Sequence, residues 1–222
     1  MLNVTIDGPG GAGKSSVAKL VASRKGLHYV DSGALYRAVG YELDRRGIDV
    51  EDRAAVEEGI LSLELAIFYD EDGQHVTVSG EDVSSLIRTI EVGALASKVS
   101  VHGKVRDLVN AIIRKTAEAY AVIMDGRDIG TVVLPDAPLK IYITASSEER
   151  ARRRLLELEA TGKPHGTLED VQREIEERDY RDMHREIAPL KQAENAILLD
   201  TTHLSLEEVV EKVCGMIDEV ES

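Results

Sequence analysis

A glycine-rich segment near the start of the chain constrains the fold more than any other feature of the sequence. Residues 8–15 read Gly-Pro-Gly-Gly-Ala-Gly-Lys-Ser, which fits G-x-x-x-x-G-K-[ST] at every fixed position. The apolar run before it, at residues 2–7, is typical of a buried strand, and a helical pattern starts at Ser15. Between a strand and a helix, the backbone N–H groups of such a loop point inward at a phosphate chain. The segment therefore predicts a binding site for a nucleoside triphosphate.

Two side chains of this phosphate loop have separate expected roles. Lys14 is expected to reach the β- and γ-phosphates, and the Ser15 hydroxyl is expected to lie near a magnesium ion. Asp125 follows the apolar residues 122–124, which is where such folds place the carboxylate that orients magnesium. A chance acidic turn is the alternative interpretation of Asp125. The predicted triphosphate-binding residues of the loop are Gly8, Pro9, Gly10, Gly11, Ala12, Gly13, Lys14, Ser15 and Ser16.

Short apolar runs alternate with helical patterns along the rest of the chain. Further strands are predicted at residues 28–31, 121–125, 139–144 and 196–200. With the first strand they predict an α/β fold, in which a five-stranded parallel sheet is covered by helices on both faces. The length of 222 residues favours a single domain over residues 1–222.

Two segments depart from this alternation. Residues 63–69 and 75–78 flank an Asp-Gly turn at residues 70–73 and predict a small antiparallel insert. Residues 146–149, Ser-Ser-Glu-Glu, predict a capping box that starts a helix. That helix runs into the breaker-rich segment 161–166, which predicts a mobile lid at residues 157–168.

Composition limits the possible partners and the setting. The formal net charge of -14 argues against a nucleic-acid-binding surface. Cys214 is the only cysteine, so no intrachain disulfide can form and a reducing compartment is expected. We expect no membrane partner and a cytoplasmic location, because no apolar run is long enough to cross a membrane and no signal peptide precedes the first strand. The spacing of the six histidines predicts no metal site.

Charged residues recur along one predicted helix near the end of the chain. Arg178, Arg181, Asp182 and Arg185 have the spacing i, i+3, i+4 and i+7, which places them on one helical face. They could form a solvated face with local ion pairs to Glu174, Glu176 and Glu177. They could equally be guanidinium groups that bind phosphates, with Asp182 accepting from a sugar hydroxyl.

Two further segments follow predicted strands at the edge of the sheet where open α/β folds bind their ligands. Residues 31–37, Asp-Ser-Gly-Ala-Leu-Tyr-Arg, follow the second strand, and residues 125–128, Asp-Gly-Arg-Asp, follow the third. Both segments supply arginine and aspartate to that edge. They are the second set of candidate binding residues.

The chain resembles the bacterial type of cytidylate kinase. The similarity covers nearly the whole chain and its segments occur in family order: residues 6–9, 31–37, 80–84, 87–89, 125–133, 145–150, 177–185 and 188–190. In the phosphate loop some relatives have Gly-Thr after the lysine, whereas this chain has Ser15 and Ser16. Either serine could therefore supply the hydroxyl for magnesium.

The resemblance implies roles for individual residues. Ser97, Arg106 and Asp128 match residues that read the cytosine edge, Arg178 and Asp182 match residues at the ribose, and Ser32 matches a further residue of the CMP site. Arg37, Arg127 and Arg185 match residues around the acceptor phosphate and the transferring group, and Arg153 and Arg154 match contacts to ATP. Lys14, Arg127, Arg178 and Arg185 are the expected catalytic residues. The predicted hairpin matches an extra β subdomain, within an acceptor-binding region at residues 32–118.

The resemblance implies an ATP-dependent kinase of pyrimidine metabolism. It would transfer the γ-phosphoryl group of ATP to CMP or dCMP, giving CDP or dCDP and ADP. The expected cofactor is Mg²⁺, and the protein is expected to be a monomer. The attacking phosphate oxygen is already largely ionised at pH 7, since its second pKa is about 6, so no general base is needed. The alternatives are another small-molecule kinase with the same loop, such as an adenylate or shikimate kinase, and a GTP-driven switch. A GTPase should carry an [NT]-K-x-D motif, which this sequence lacks.

Overall fold

The structure, a computed structural model, describes residues 1–71, 73–162 and 165–222. Strands and helices alternate in the order that the sequence predicts. The strands are β1 (Asn3–Asp7), β2 (His28–Asp31), β3 (Leu65–Asp70), β4 (Gly73–Val78), β5 (Glu81–Asp82), β6 (Val122–Gly126), β7 (Leu139–Thr144) and β8 (Ile197–Asp200). The α-helices are α1 (Lys14–Lys25), α2 (Ser32–Arg45), α3 (Arg53–Gly59), α4 (Ile90–Val99), α5 (Gly103–Ala119), α6 (Ser147–Ala160), α7 (Leu168–His184) and α8 (Leu206–Glu221). Short 3₁₀ helices lie at Ile60–Ser62 and Leu86–Arg88, and a π-helical turn lies at Ile129–Val133.

The main sheet confirms the predicted α/β fold. Over the described residues it has five strands in the order β2-β6-β1-β7-β8, and the pairs β1–β7 and β7–β8 run parallel. Val4 lies opposite Leu139, and Ile141 lies opposite Ile197. The central strands are apolar and almost wholly buried, as expected for parallel strands flanked by helices.

The chain divides into two compact units. The first consists of Met1 and His28–Val122, and the second of Leu2–Leu27 and Ile123–Ser222. In the second unit α1 packs against α8, and α6 packs against α7. In the first unit α2 packs against α4 and α5, and the three-stranded antiparallel sheet β3-β4-β5 forms the predicted insert. The single domain over residues 1–222 remains a prediction.

Several predicted boundaries differ from the structure. Strands β6 and β8 each begin one residue later than predicted, and β3 begins two residues later. Strand β5 was not predicted, because two residues are too few for a strand pattern. The turn of the hairpin includes Asp72, and the predicted lid includes Lys163 and Pro164; these three residues lie outside the described part of the chain. The mobility of the lid remains a prediction.

The capping box predicted at residues 146–149 is only half present. The Ser146 side chain accepts from the Glu149 backbone N–H at 3.2 Å and caps α6 as expected. The Ser146 backbone N–H, however, donates to the Thr202 hydroxyl at 3.0 Å, and the Glu149 carboxylate pairs with Arg153. Complete capping boxes begin α7, with Thr167 and Asp170, and α8, with Ser205 and Glu208.

Candidate active site

The phosphate loop lines a cavity of about 720 Å³ in the second unit. Residues 10–17 form one wall of this cavity. The other lining residues come from the end of β6, from α6 and α7, and from the segment between β8 and α8: Asp125, Arg127, Glu149, Arg153, Arg154, Glu157, Arg178, Thr201, Leu204, Ser205, Leu206 and Val209. A cavity of this size, with several cations and an apolar end, suits a nucleotide.

The loop requires glycine at its first position. Gly8 has a φ of +146°, and a Cβ atom there would lie 1.9 Å from the carbonyl oxygen of Ile143 in β7. Gly13, with a φ of +84°, is the left-handed residue from which α1 starts. The conformation of the loop therefore depends on its sequence, as the motif predicts.

Lys14 is the first residue of α1 and is buried. Its Nζ atom donates to the carbonyl oxygen of Pro9 at 2.7 Å, within the loop. Burial, together with the Arg127 guanidinium, lowers the pKa of Lys14 well below its usual value, while Asp125 and Asp7 oppose that shift. The side chain of Lys14 thus lies within the phosphate loop, and its contact with the β- and γ-phosphates remains a prediction.

The structure brings together the two residues predicted to hold a metal. The Ser15 hydroxyl donates to Oδ2 of Asp125 at 2.7 Å. A hydroxyl and a carboxylate are the oxygen donors that Mg²⁺ prefers, so this pair fits the ion. Ser16 is exposed and also lines the cavity, but it is Ser15 that meets the carboxylate. In the described ranges no group of three or more His, Cys, Asp or Glu side chains could hold a metal by itself.

The arginines predicted to act on phosphates are held by the predicted aspartates. Nε of Arg127 donates to Oδ2 of Asp182 at 2.9 Å, and Nη2 of Arg185 donates to Oδ1 of Asp128 at 3.1 Å. Arg178 lines the cavity beside Arg127. Burial and the Arg127 cation lower the pKa of Arg178, while the charges of Asp182 and Asp179 oppose that shift.

The prediction that one helix carries the whole charged face was wrong for Arg185. Helix α7 ends at His184, and Arg185 is already extended, with φ -63° and ψ 142°. Its Nε atom donates to the carbonyl oxygen of Ala188 at 2.6 Å, so the segment that follows α7 positions the side chain. Arg181 lies within α7 and is exposed.

A buried residue missed by the sequence reasoning organises the segment after β6. Asp7, at the end of β1, accepts from the backbone N–H groups of Ile129 and Gly130 at 2.9 and 2.7 Å. These residues directly follow Asp128, so Asp7 fixes the backbone next to a predicted base-reading residue. Burial raises the pKa of Asp7 to about 6, against the two N–H donors. Its position as the last residue of a strand, directly before the loop, was an available signal.

Arg153 and Arg154 lie on α6 and line the cavity, as predicted for contacts to ATP. Arg153 donates to the carbonyl oxygen of Thr201 at 2.7 Å and to Glu149 at 3.0 Å. Arg154 donates to Glu157 at 2.8 Å. The segment after β8 was missed as a lining segment, although the Ser205–Glu208 capping box is readable in the sequence.

The predicted residues of the first unit lie on three helices, α2, α4 and α5. Asp31 caps α2 and accepts from Arg37 at 2.7 Å, and the buried Ser32 follows it. Arg106 is buried on α5, with its guanidinium carbon 5.8 Å from the centre of the Tyr36 ring and one N–H donating to the Ser100 carbonyl. The predicted base-reading Ser97 is exposed on α4, and its hydroxyl donates to the Gly93 carbonyl at 3.4 Å.

Comparisons with known proteins identify the family of the chain. The sequence model of the cytidylate kinase family matches residues 4–219. The chain is 46% identical to the cytidylate kinase of Citrifermentans bemidjiense, over 97% of this chain and 92% of that protein. It is 48% identical to the cytidylate kinase of Geobacter sp. strain M21, over 94% of this chain and 89% of that protein. The chain belongs to the cytidylate kinase family.

Two further findings concern the fold and the possibility of a membrane-spanning helix. A solved structure of an uncharacterized protein from Eubacterium ventriosum shares the fold, with a TM-score of 0.55 and 12% identity, over 98% of this chain and 99% of that one. At this identity the likeness concerns the fold alone. Within the described ranges, none of the helices is both long and apolar enough to span a membrane.

Proposed function

We propose that this member of the cytidylate kinase family transfers the γ-phosphoryl group of ATP to CMP or dCMP, giving CDP or dCDP and ADP. The observation that carries the proposal is the cavity of the second unit, which Lys14, Arg127 and Arg178 line together with an intact phosphate loop. Membership of the family over residues 4–219 supports the choice of acceptor.

We assign the donor nucleotide to this cavity. The loop from Gly8 to Ser16 would bind the phosphates through its backbone N–H groups and Lys14. Arg153 and Arg154 would lie along the nucleotide, and the apolar side chains of Leu204, Leu206 and Val209 suit the base.

We assign Mg²⁺ to Ser15 and Asp125. Their hydroxyl and carboxylate oxygens lie 2.7 Å apart, at the start of α1 and in β6. A bound magnesium ion would neutralise charge on the β- and γ-phosphates. The assignment selects Ser15 over Ser16 as the hydroxyl ligand.

We assign the acceptor nucleotide to individual residues by the roles that the family resemblance implies. Asp128, Ser97 and Arg106 would read the cytosine, and Asp182 with Arg178 would bind the ribose. Ser32, Arg37, Arg127 and Arg185 would bind the acceptor phosphate and the transferring group. The ion pairs Arg127–Asp182 and Arg185–Asp128 support this division, because each joins a phosphate-binding candidate to a candidate for the nucleoside.

The proposed chemistry is neutralisation of charge and in-line placement of two nucleotides. The attacking group is a phosphate oxygen, which needs no base at pH 7. Lys14, Arg127, Arg178 and Arg185 would stabilise the charge on the transferring phosphoryl group. Closure of the predicted lid at residues 157–168 would exclude water and limit transfer to it.

We further propose that the protein acts as a monomer in the cytoplasm. The single cysteine and the net charge of -14 support a reducing compartment and the absence of a nucleic-acid partner. Light scattering at working concentration tests the first part of this proposal, and fractionation of cells tests the second.

Phosphorylation of CMP, dCMP, UMP, AMP and GMP by ATP, measured side by side, tests the proposed function. We expect CMP and dCMP to be the preferred acceptors. Asp128→Ala should raise the KM for CMP with a cost of about 1–3 kcal/mol and leave the KM for ATP close to that of the parent. Preferred turnover of AMP, or of an acceptor that is not a nucleotide, would instead favour another kinase with the same loop.

A further inference from the structure

A buried ion pair lies beside the phosphate loop. Neither of its residues is among those proposed to bind a nucleotide or the metal. Nη1 of Arg150, on α6, lies 2.6 Å from Oδ2 of Asp179, on α7. The two side chains are 7% and 10% exposed. Replacing a buried pair of charges by apolar side chains is often neutral for stability, so stability alone gives weak grounds for such a pair.

Arg150 has two further partners, and one of them is the phosphate loop. Its Nη1 atom also donates to the carbonyl oxygen of Gly10 at 2.9 Å, and its Nε atom donates to the carbonyl oxygen of Ala145 at 2.9 Å. The loop packs closely on this residue, because a Cβ atom on Gly11 would lie 3.2 Å from Cβ of Arg150. One guanidinium group thus joins the loop, the end of β7 and α7.

The contacts of Arg150 bear on groups that line the cavity. The carbonyl of Gly10 and the N–H of Gly11 belong to one planar peptide unit and point in opposite directions. A donor that holds the carbonyl therefore also sets the direction of this N–H. On the other side of the pair, Asp179 adjoins Arg178, which lines the same cavity as Gly10 and Gly11.

We propose that Arg150 is a positioning residue for phosphoryl transfer. By binding Gly10 and Asp179 with one group, it fixes the phosphate loop and α7 so that the loop N–H groups and Arg178 face the same phosphates. The inference rests on the proposed function, since the reaction it concerns is transfer from ATP to CMP. Small displacements of positioned groups lower kcat more than they weaken binding.

The test compares Arg150→Met, Arg150→Lys and the double variant Arg150→Met/Asp179→Leu. The matched control is Arg152→Met, an exposed arginine of the same helix that pairs with Glu148. Arg150→Met leaves a buried aspartate unpaired and should lower the thermal midpoint, and the double variant should regain much of that loss. Kinetics with ATP and CMP are measured well below the midpoint of each variant.

We expect kcat to fall by about 10-fold or more in Arg150→Met and to stay low in the double variant, because neither holds Gly10. Arg150→Lys keeps the charge but not the planar fork, so its kcat should also fall while the KM for ATP changes by less than about threefold. The control should match the parent. Wild-type kcat in the double variant or in Arg150→Lys would overturn the inference, as it would show that the pair serves the fold alone.

Binding of MgADP by calorimetry distinguishes failure of this inference from failure of the proposed function. This measurement requires only the donor site. A parent protein that binds MgADP but does not phosphorylate CMP or dCMP would refute the proposed acceptor. A parent that phosphorylates CMP, together with variants of unchanged kcat, would refute the role of Arg150.

Discussion

Asp7 lies at the end of β1, next to the phosphate loop, and its carboxylate holds the segment that follows Asp128. The two N–H groups that it binds belong to Ile129 and Gly130. Gly130 leaves no room for a side chain, because a Cβ atom there would lie 2.9 Å from Oγ1 of Thr5 and 3.2 Å from Oδ2 of Asp7. The position of a proposed base-reading residue thus depends on one buried carboxylate and on one glycine.

The raised pKa of Asp7 predicts how the stability of the protein changes with pH. Its folded pKa of about 6 lies above the ordinary value of 3.8, so the folded state favours the protonated form. The contribution of Asp7 to stability is therefore fully present below pH 3.8 and is lost as the pH rises through 6. From below pH 3.8 to above pH 6, the unfolding free energy of the parent should therefore fall by about 3 kcal/mol relative to that of Asp7→Asn.

Urea unfolding of the parent and of Asp7→Asn without nucleotide, at a series of pH values, measures this shift. Asp136→Asn, at an exposed position, serves as the control. Parallel stability curves for the parent and Asp7→Asn across this pH range would contradict the prediction.

Arg185 offers a second prediction at the scale of one side chain. It donates to Asp128 through Nη2 and to the Ala188 carbonyl through Nε. A lysine can keep one of these bonds but cannot reproduce the fork. We expect Arg185→Lys to lower kcat/KM for CMP by about 10-fold or more, since a charged hydrogen bond of about 1.5–3 kcal/mol is lost.

Arg181→Lys is the matched control for Arg185→Lys, because Arg181 is exposed on α7. Its kinetics should be those of the parent, and its stability should change by less than about 0.5 kcal/mol. Steady-state kinetics with CMP and a melting curve for each variant provide the comparison. Equal kinetics for both variants would show that the guanidinium fork of Arg185 has no part in the reaction.

At the scale of elements, the best-predicted strands are those with a turn or cap residue at each end. β2 and β7 have the predicted bounds, because each is a short apolar run between turn or cap residues. The π-helical turn at Ile129–Val133 was not predictable, since it is held by Asp7, far away in the sequence. The end of α7 before Arg185 is fixed by the turn of the chain that follows it, in which the Leu190 N–H donates to the Asp182 carbonyl.

In the candidate site, too, the sequence predicted local motifs but not contacts between separate segments. The phosphate loop, Ser15 and Asp125 were predicted from motifs and strand context, and the structure brings them together. The bridge from Arg150 to Gly10 and Asp179 was missed, because no local pattern distinguishes this buried arginine of α6 from the exposed Arg152 and the half-buried Arg154. Contacts between distant segments, rather than propensities, decide such roles.

The antiparallel insert contains a histidine that joins its three strands. His75, on β4, lies 2.8 Å from Asp82 of β5 and 3.0 Å from Asp70 of β3, and its ring stacks on Phe68. The bond to Asp82 and the charges of both carboxylates raise the pKa of His75. The stabilising effect is therefore fully present below the ordinary pKa of 6.5 and is lost as the pH rises through the raised value.

We expect His75→Gln to remove this pH dependence. An NMR titration should give His75 a pKa above 6.5, and the midpoint difference between the parent and His75→Gln should shrink as the pH rises through that value. His203→Gln, at an exposed position outside the insert, is the control. An ordinary titration of His75, or a constant midpoint difference, would show that the carboxylates do not stabilise its charged form.

At the scale of the whole molecule, the net charge and the charge of the cavity beside the phosphate loop have opposite signs. The chain has 41 acidic and 27 basic residues, yet the cavity is lined by Lys14, Arg127, Arg153, Arg154 and Arg178 against Asp125, Glu149 and Glu157. A cationic cavity attracts a nucleotide locally, while an acidic surface repels polyanions such as nucleic acids. The distribution of charge thus favours small anions of the size of this cavity.

Binding of nucleotide and metal should therefore change the stability of the whole chain. MgADP at about 100 times its Kd should stabilise the protein by about 2.7 kcal/mol, and for a chain of this length that corresponds to a rise of roughly 5–10 °C in the thermal midpoint. EDTA should reduce the rise in the parent, because it removes the ion that we propose Ser15 and Asp125 hold. In Asp125→Asn the rise should be small and nearly independent of Mg²⁺, since the carboxylate ligand is lost. Asp136→Asn, an exposed aspartate, should behave as the parent. Thermal melts of all three proteins with ADP, in the presence and in the absence of Mg²⁺, provide the measurement. A full Mg²⁺-dependent rise of the midpoint in Asp125→Asn would show that Asp125 is not a ligand of the metal.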